Sequence, residues 1–280
     1  MANPIAKNGT HERRETYANE VLAMAKSKVN IYDDFSTDYE IDGATGQINV
    51  PTRSAEVAIS DYDILNGVEL TQSATDYVVL PIDKNYAINE LIDGYEAGAV
   101  PDNLVANRLE AAGYSLGLKK ENLAIAELVA KGTVSADTDA LTKENAYNKI
   151  AAEVANMKKR NMELANMRIV VSADTELLLL TDDKFSNTAG TLGAELVREG
   201  VIGKINGVAV KANYLLPEGV EFIVYDKRFA QKYEVWSVEP SINNIADGKH
   251  IGASALQGRQ VGGLMVTNPL GVQIKKNDAI

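Results

Sequence analysis

The stretch GVIGKINGVAVKANYLLP, residues 200–217, combines glycines with the alternating apolar residues of a strand. Such glycines either cradle a phosphate or let strands turn tightly and pack closely. The phosphate reading fails on spacing, because the three glycines do not form G-x-G-x-x-G. A Walker A loop fails as well, since Arg198 stands where its first glycine belongs and Ile205 follows Lys204 in place of Ser or Thr. We therefore predict strand and turn architecture around Gly200, Gly203 and Gly207.

Further strands are predicted on both sides of this stretch. MRIVVS (167–172) is typical of a strand, and the apolar run TELLLL (175–180) predicts a short helix directly after it. The runs EFIVYD, KYEVWSV, RQVGGLMVTNP and LGVQIKK predict strands through to the C-terminal end. Helices and strands are mixed without regular βαβ alternation, so the predicted fold class is α+β.

Residues 46–82 predict a long two-stranded excursion. Short β-rich runs are separated by turn residues, and Asn66-Gly67 between two of them is a strong hairpin signal. A two-stranded ribbon is marginally stable alone, so we expect another subunit to cover it.

Three longer helices are predicted besides the short one at 175–180. A short apolar stripe indicates a peripheral helix over 11–28. A long helix follows Pro101, with Asp102 as its N-cap and Gly132 as its stop, unless the glycines at 113 and 117 bend or split it. The third helix covers TKENAYNKIAAEVANMKKRNM, residues 142–162.

Composition excludes several classes of function. The 280 residues carry a net charge of −11, whereas a protein that grips nucleic acid normally presents a basic stripe. The chain has no cysteine, which excludes disulfides and thiolate metal sites. It also lacks a signal-peptide core and a membrane-spanning apolar run, so we expect a soluble protein kept in a cytoplasm.

The sequence shows no catalytic apparatus. Its only histidines, His11 and His250, lie in polar or glycine-bearing segments without a second histidine at ligand spacing. The acidic run DYDILNG (61–67) departs from a calcium loop at Leu65 and Asn66. We therefore predict no enzyme activity, no metal and no cofactor.

The order of elements resembles the major capsid proteins of tailed double-stranded DNA bacteriophages, which have the Hong Kong 97-type fold. TDYVVLPIDKNYAINEL (75–91) is similar to the family's passage out of its extended loop. RIVVSADTELLLLTDD (168–183) is similar to its strand and short helix. The opening stretch, continued to Glu239, is similar to its glycine-rich strand passage with "LP".

The resemblance implies a domain organisation and a function. The domains would be an N-terminal arm (1–45), an extended loop (46–82), a peripheral domain with a long helix (83–140, completed by 256–280) and an axial domain (141–255). The protein would assemble itself through hexamers and pentamers into an icosahedral head shell around the genome, inside the host bacterial cytoplasm, and would reside in the virion capsid.

The family also suggests partners. We expect a separate scaffolding protein, slightly favoured by the initiating Met1, or a scaffold segment that a protease has already removed. The portal and, where present, decoration proteins would contact the shell. Residues 46–82 contain no lysine, so we expect no covalent lysine–asparagine cross-link through this loop.

The extended loop carries one basic residue amid several acids. We hypothesise that it docks on a basic patch of the adjacent subunit, around Lys119-Lys120 or Lys158–Arg160. The candidate interface residues are Arg53, Glu56, Asp61, Asp63, Glu69 and Asp76.

Three other functions remain open at this point. An encapsulin-type nanocompartment would share the fold but enclose a cargo enzyme. An acidic α+β enzyme would have to act without cysteine and with hardly any histidine. Another self-assembling phage part, such as a tail or decoration protein, fits the long helix and mixed central domain less well.

Overall fold

The computed structural model describes residues 31–36, 46–53, 59–69, 75–93, 104–182, 184–185, 201–245 and 249–277. The helices in these ranges are α1 (Ile31–Asp34), α2 (Leu104–Lys131), α3 (Ala146–Lys159) and α4 (Ala173–Leu180). The strands are β1 (Gln47–Arg53), β2 (Thr75–Pro81), β3 (Lys84–Ile92), β4 (Thr133–Val134), β5 (Met167–Val171), β6 (Val201–Ile205), β7 (Val208–Ala212), β8 (Val220–Asp226), β9 (Ala230–Asn244), β10 (Ser254–Val266) and β11 (Val272–Lys276). The helix predicted over 11–28 lies outside the described residues.

A six-stranded mixed sheet forms the body of the protein. Its strand order is β4-β11-β8-β5-β7-β6, with β5–β7 and β11–β4 parallel and the other pairs antiparallel. The central strands MRIVV and VEFIVYD are almost continuously apolar, as expected of strands with both faces covered. The predicted α+β class is confirmed.

Each face of this sheet has its own hydrophobic core. On one face, Ile223 and Tyr225 pack with α1 and with the C-terminal half of α2. On the other face, Phe222 and Val224 pack with α3 and α4. Alternate residues of β8 therefore serve opposite cores, as the period of two in a strand requires.

The opening stretch forms the hairpin β6–β7, as predicted. Asn206 and Gly207 link the strands with φ of 49° and 87°, the positive values of a two-residue hairpin turn. At Gly203, any Cβ would overlap the ring of Phe185. One glycine thus permits the turn and another the close packing, while Gly200 lies outside the described residues.

A smaller, three-stranded sheet has the order β3-β10-β9. Its strand β3 alternates half-buried and exposed residues, so one face of the sheet is open to solvent. The two strands predicted at the C-terminal end do not pair with each other. β10 belongs to this sheet, and β11 belongs to the six-stranded sheet.

Helix α2 is unbroken over its 28 residues, about 42 Å at 1.5 Å per residue, so Gly113 and Gly117 do not split it. Gly132 follows directly, as predicted, and a Cβ there would meet Ile274 at 2.6 Å and Val272 at 2.7 Å. Its absent side chain lets α2 end against β11. Helix α3 lies within the predicted 142–162 and is shorter at both ends, with Ile150, Val154 and Met157 among its buried residues.

Candidate assembly surface

The strands β1 and β2 form an antiparallel ribbon apart from both sheets. Ile48, Val50 and Leu80 point to its inner face and pack with Met265 of β10. On the outer face, Tyr77 of β2 is exposed and lies opposite Pro51 of β1. The base of the ribbon is thus fixed to the protein by one apolar face, while the other face, with Tyr77 and Pro51, meets solvent.

A close backbone approach sets the direction of the ribbon. Pro81 ends β2, and its carbonyl oxygen lies so near Gly263 of β10 that no Cβ would fit there. At the adjacent Gly262, a Cβ would lie 2.5 Å from the carbonyl oxygen of Tyr233. Gly263 lets the ribbon cross β10 in contact with its backbone, whereas Gly262 lies close to the neighbouring strand β9.

A tight turn lies in the chain between β1 and β2, within residues 59–69. The carboxylate of Asp63 accepts hydrogen bonds from the backbone N–H of Leu65 at 2.8 Å and of Asn66 at 3.3 Å. The backbone N–H of Gly67 (φ 70°) donates to the carbonyl oxygen of Asp63 at 2.8 Å. Hydrogen bonds from Leu65 and Asn66 lower the pKa of the Asp63 carboxyl. A turn is present at the predicted position and the Asp63 carboxylate stabilises it, but the described residues on either side, 59–62 and 68–69, are not strands.

This turn presents large apolar side chains to solvent. The exposed fractions are 96% at Ile59, 89% at Ile64 and 91% at Leu65. Tyr62 and Val68 are exposed beside them. Single exposed apolar residues are common on protein surfaces, but a contiguous group on one short segment marks an interaction site. We call residues 59–69 the loop tip.

The interface residues predicted from the sequence fall into three groups in the structure. Asp61 and Glu69 are exposed in the loop tip, and Asp76 is exposed on β2. The carboxylate of Asp63 accepts the hydrogen bonds that hold the turn. Two candidates fall where the structure gives no side-chain description, namely Arg53, whose backbone ends β1, and Glu56. Sequence reasoning noticed these acids and missed the apolar residues between them, although Ile64 and Leu65 adjoin the turn in ISDYDILNG.

The basic residues suggested as docking partners differ in availability. Lys120 forms an ion pair with Glu234 at 2.5 Å, and its ammonium lies 5.3 Å from the ring centroid of Tyr32. Arg160 donates to the carbonyl oxygen of Leu270. Lys119 and Lys159 are exposed. Lys120 is therefore held within its own subunit, and Lys119 is the better candidate on α2.

A groove of about 500 Å³ runs between the ribbon base and α2. Val79 of β2 forms one wall, and Leu123, Ala126 and Ala130 of α2 are among the residues of the other. Its lining is mostly apolar and small, with Asp83, Lys84, Glu127 and Lys131 also present. The groove can accept apolar side chains of another segment.

The described residues bear on two other kinds of site, a metal centre and a membrane span. They contain no cluster of three or more potential metal ligands and no helix long and apolar enough to cross a bilayer. Within the same ranges, His250 is exposed near the end of the β9–β10 connection. The other histidine of the chain, His11, lies outside these ranges.

Comparisons with known proteins point to one family. A family model described as phage capsid protein matches residues 96–274. No curated protein matches the chain. Among solved structures, one from Mycobacterium phage Che8 aligns with a TM-score of 0.74 at 18% identity, covering 96% of this chain and 98% of that one. The capsid structure of cyanophage P-SCSP1u aligns with a TM-score of 0.76 at 12% identity, covering 94% and 92%. The asymmetric unit of the bacteriophage PhiM1 mature capsid gives 0.70 at 15% identity, covering 96% and 93%. The predicted Hong Kong 97-type capsid fold is confirmed.

Proposed function

Because this chain belongs to the phage capsid protein family, we propose that it is the major subunit of the head shell of a tailed double-stranded DNA bacteriophage. Its role is structural, its place is the virion capsid, and it assembles with copies of itself. In the finer proposal, these copies form hexamers and pentamers that close into an icosahedral shell.

The single observation that carries this proposal is the exposed apolar loop tip in the chain between β1 and β2. A monomer would gain nothing from presenting Ile59, Ile64 and Leu65 to water, whereas burial of each side chain on a neighbour contributes roughly 1.5–3 kcal/mol. We place the tip of one copy in the groove beside α2 of the next copy. Each subunit then gives one tip and receives one, and this head-to-tail contact closes into rings.

Charge would act on the same contact as a guide. Asp61 and Glu69 flank the apolar tip and are exposed, and so is Lys119 on the exposed side of α2. Rim charges of opposite sign speed encounter and set the register more than they add affinity. The proposed docking of acidic loop on basic patch therefore keeps Asp61, Glu69 and Asp76 as loop residues and takes Lys119 as their partner.

The net charge supports the proposed contents of the shell. A chain at −11 has little to displace counterions from phosphates, so packaged DNA would be confined without sequence-specific binding. Assembly in the host cytoplasm, a scaffolding protein, a maturation protease, the portal and decoration proteins belong to this proposal. So do the N-terminal arm (1–45), the extended loop (46–82), the peripheral domain (83–140 with 256–280) and the axial domain (141–255).

An encapsulin-type nanocompartment is not favoured, because the matched family and the compared capsid structures are of phages. The contents of purified shells distinguish the two functions. A phage shell from infected cells contains double-stranded DNA, while a nanocompartment contains a cargo protein.

Site-specific cross-linking tests the proposed contact. The chain has no cysteine, so Leu65→Cys can carry a single benzophenone maleimide at the loop tip. We expect cross-links between subunits in assembled protein, mapping to α2 or β10 of the neighbour. The matched control is Ala152→Cys, exposed on α3. Cross-links from Leu65→Cys that join only parts of one subunit would contradict the contact.

A further inference from the structure

Residues 31–36, with the sequence IYDDFS, lie across the junction of three parts of the fold. Ile31, Tyr32 and Phe35 are buried and belong to the core shared by α2 and the six-stranded sheet. The segment contributes one short helix and a single bridge between Ser36 and Gln231. We call residues 31–36 the strap.

The first fixed point of the strap is Glu121, a fully buried carboxylate on α2. Its two oxygens accept the backbone N–H groups of Ile31 at 2.9 Å and Tyr32 at 2.8 Å. Asn213, just after β7, donates its side-chain N–H to the same carboxylate at 2.5 Å. One buried charge thus joins the strap, the long helix and the six-stranded sheet, and hydrogen bonds to a charged group are the stronger kind.

The second fixed point is Asp34, which faces three strands of the six-stranded sheet. Tyr225 of β8 donates its hydroxyl to the Asp34 carboxylate at 2.9 Å. Lys211 of β7 lies 3.4 Å and Arg168 of β5 lies 3.8 Å from the same carboxylate. Burial, with the nearby charge of Asp34, raises the pKa of Tyr225, so its hydroxyl keeps the proton that it donates.

The third fixed point lies on the three-stranded sheet. Lys232 of β9 donates to the carbonyl oxygen of Tyr32 at 2.8 Å, and its ammonium lies 4.2 Å from the Tyr32 ring centroid. The Tyr32 hydroxyl donates to Glu234 at 2.9 Å. Ser36 adds two backbone hydrogen bonds to the start of β9, at Ala230 and Lys232.

These contacts place the strap beside a covalent link between the two sheets, because Ser36 hydrogen-bonds to Ala230, the residue after Phe229. β8 runs into β9 through the short helical turn Lys227–Phe229, so the sheets are joined there by the chain itself. The strap joins them again, together with α2, through side-chain contacts and the two backbone hydrogen bonds of Ser36. Its removal would break no hydrogen bond within either sheet.

We infer that the strap is a conformational latch, which closes over this junction to fix the two sheets against α2 and opens without unfolding either sheet. A short segment that lies outside the hydrogen-bonded strands of the two sheets can open as a unit of its own, at a lower free energy than the sheet cores. An open latch leaves the sheets joined through the chain at Lys227–Phe229 and at 267–271, between β10 and β11. The further claim that shell assembly needs the latch closed rests on the proposed function.

Isosteric variants of the full chain test the latch. Glu121→Gln and Asp34→Asn remove a charge from each fixed point with little change in volume. The matched control is Asp33→Asn, which removes the same charge from an exposed position on α1. Opening is read by chymotrypsin cleavage after Tyr32 and Phe35, both buried in the closed latch, and by hydrogen exchange of residues 31–36.

We expect Glu121→Gln and Asp34→Asn each to raise cleavage at these two sites roughly tenfold or more, because each leaves buried donors without a charged acceptor. Exchange in β5 and β8 stays as in the unmodified chain, and Asp33→Asn changes nothing. Cleavage that stays unchanged in both variants, or that rises only together with exchange in β5 and β8, would overturn the latch.

The unmodified chain provides a second measurement, which does not depend on the variants folding. Under mild denaturant, residues 31–36 should exchange at a lower opening free energy than β8. Equal opening free energies would make the strap an ordinary part of the core and end the proposal. If the unmodified chain forms no shells while the strap opens separately, the latch stands and the proposed function fails.

Discussion

The six-stranded sheet and the β1–β2 ribbon use the same kinds of apolar residue in opposite ways. In the sheet, Phe222, Ile223 and Val224 are fully buried between helices of the same subunit. In the loop tip, Ile64 and Leu65 face solvent almost completely. The sheet completes its core within one chain, whereas the ribbon leaves apolar surface for a second chain. Stability and assembly are therefore expected to depend on different residues.

The largest effect on stability should come from the sheet. Phe222→Ala deletes a fully buried ring and should lower the free energy of unfolding by about 3–5 kcal/mol. Urea unfolding of the unassembled protein measures it. Leu177→Ala on α4 is the control, because that side chain is 64% exposed and its loss should cost no more than about 0.5 kcal/mol. Similar losses for both variants would show that burial in the six-stranded sheet does not determine stability.

A smaller loss is expected where the ribbon crosses β10. Gly263→Ala places a methyl group against the carbonyl oxygen of Pro81, so the ribbon must shift, at a cost of about 1–3 kcal/mol. Hydrogen exchange should rise in β1 and β2 and stay low in β8. Gly113→Ala on α2 is the control, since nothing lies within 4 Å of its Cβ and it should stabilise the helix by about 0.5–1 kcal/mol. A ribbon unaffected by Gly263→Ala would show that the close approach does not position it.

In the loop tip, we expect the apolar side chains to matter for assembly and hardly at all for the stability of the single chain. Ile64→Ser with Leu65→Ser should change the unfolding free energy of the unassembled protein by less than about 0.5 kcal/mol, because neither side chain is buried. Light scattering should nevertheless show that the double variant no longer assembles. Ile251→Ser, at a position 94% exposed outside the loop tip, is the control. Equal loss of assembly in that control would mean that exposed apolar residues matter without regard to the loop.

The smallest effect concerns the shape of the turn. The lowered pKa of Asp63 means that its carboxylate stabilises the turn above the ordinary aspartate pKa, and this support is lost as the pH falls through the lowered value. Asn66→Ala removes the 2.9 Å side-chain hydrogen bond and should move the pKa of Asp63 back toward its usual range. A carboxyl-carbon NMR titration measures the change, and an unaltered pKa would contradict the assigned hydrogen bond.

The sequence predicted the parts of the fold that depend on local pattern. The turn at Asn206-Gly207 follows from turn chemistry, and the apolar strands β5 and β8 follow from continuous hydrophobic runs. The partners of the C-terminal strands did not follow, because strand order depends on contacts distant in sequence. Nothing local to β10 and β11 indicates that they join different sheets.

The candidate site was predicted only in part. The acidic residues in 46–82 can be identified from the sequence. Whether Ile64 and Leu65 are covered depends on what surrounds them in three dimensions. Asp63 was assigned to an interface, and its hydrogen bonds to Leu65 and Asn66 depend on a backbone geometry that letters do not specify. The strap was missed for the same reason, since Glu121 and Tyr32 lie 89 residues apart.

Electron microscopy of the purified chain after size-exclusion chromatography, with and without the proteins encoded beside it, tests whether the chain builds a shell through its loop tip. We expect closed shells, or hexamers that close when a scaffolding protein is added, and no closed shells from the Ile64→Ser, Leu65→Ser double variant under the same conditions. A chain that stays monomeric under every condition, or a double variant that closes shells as readily as the unmodified chain, would contradict this expectation.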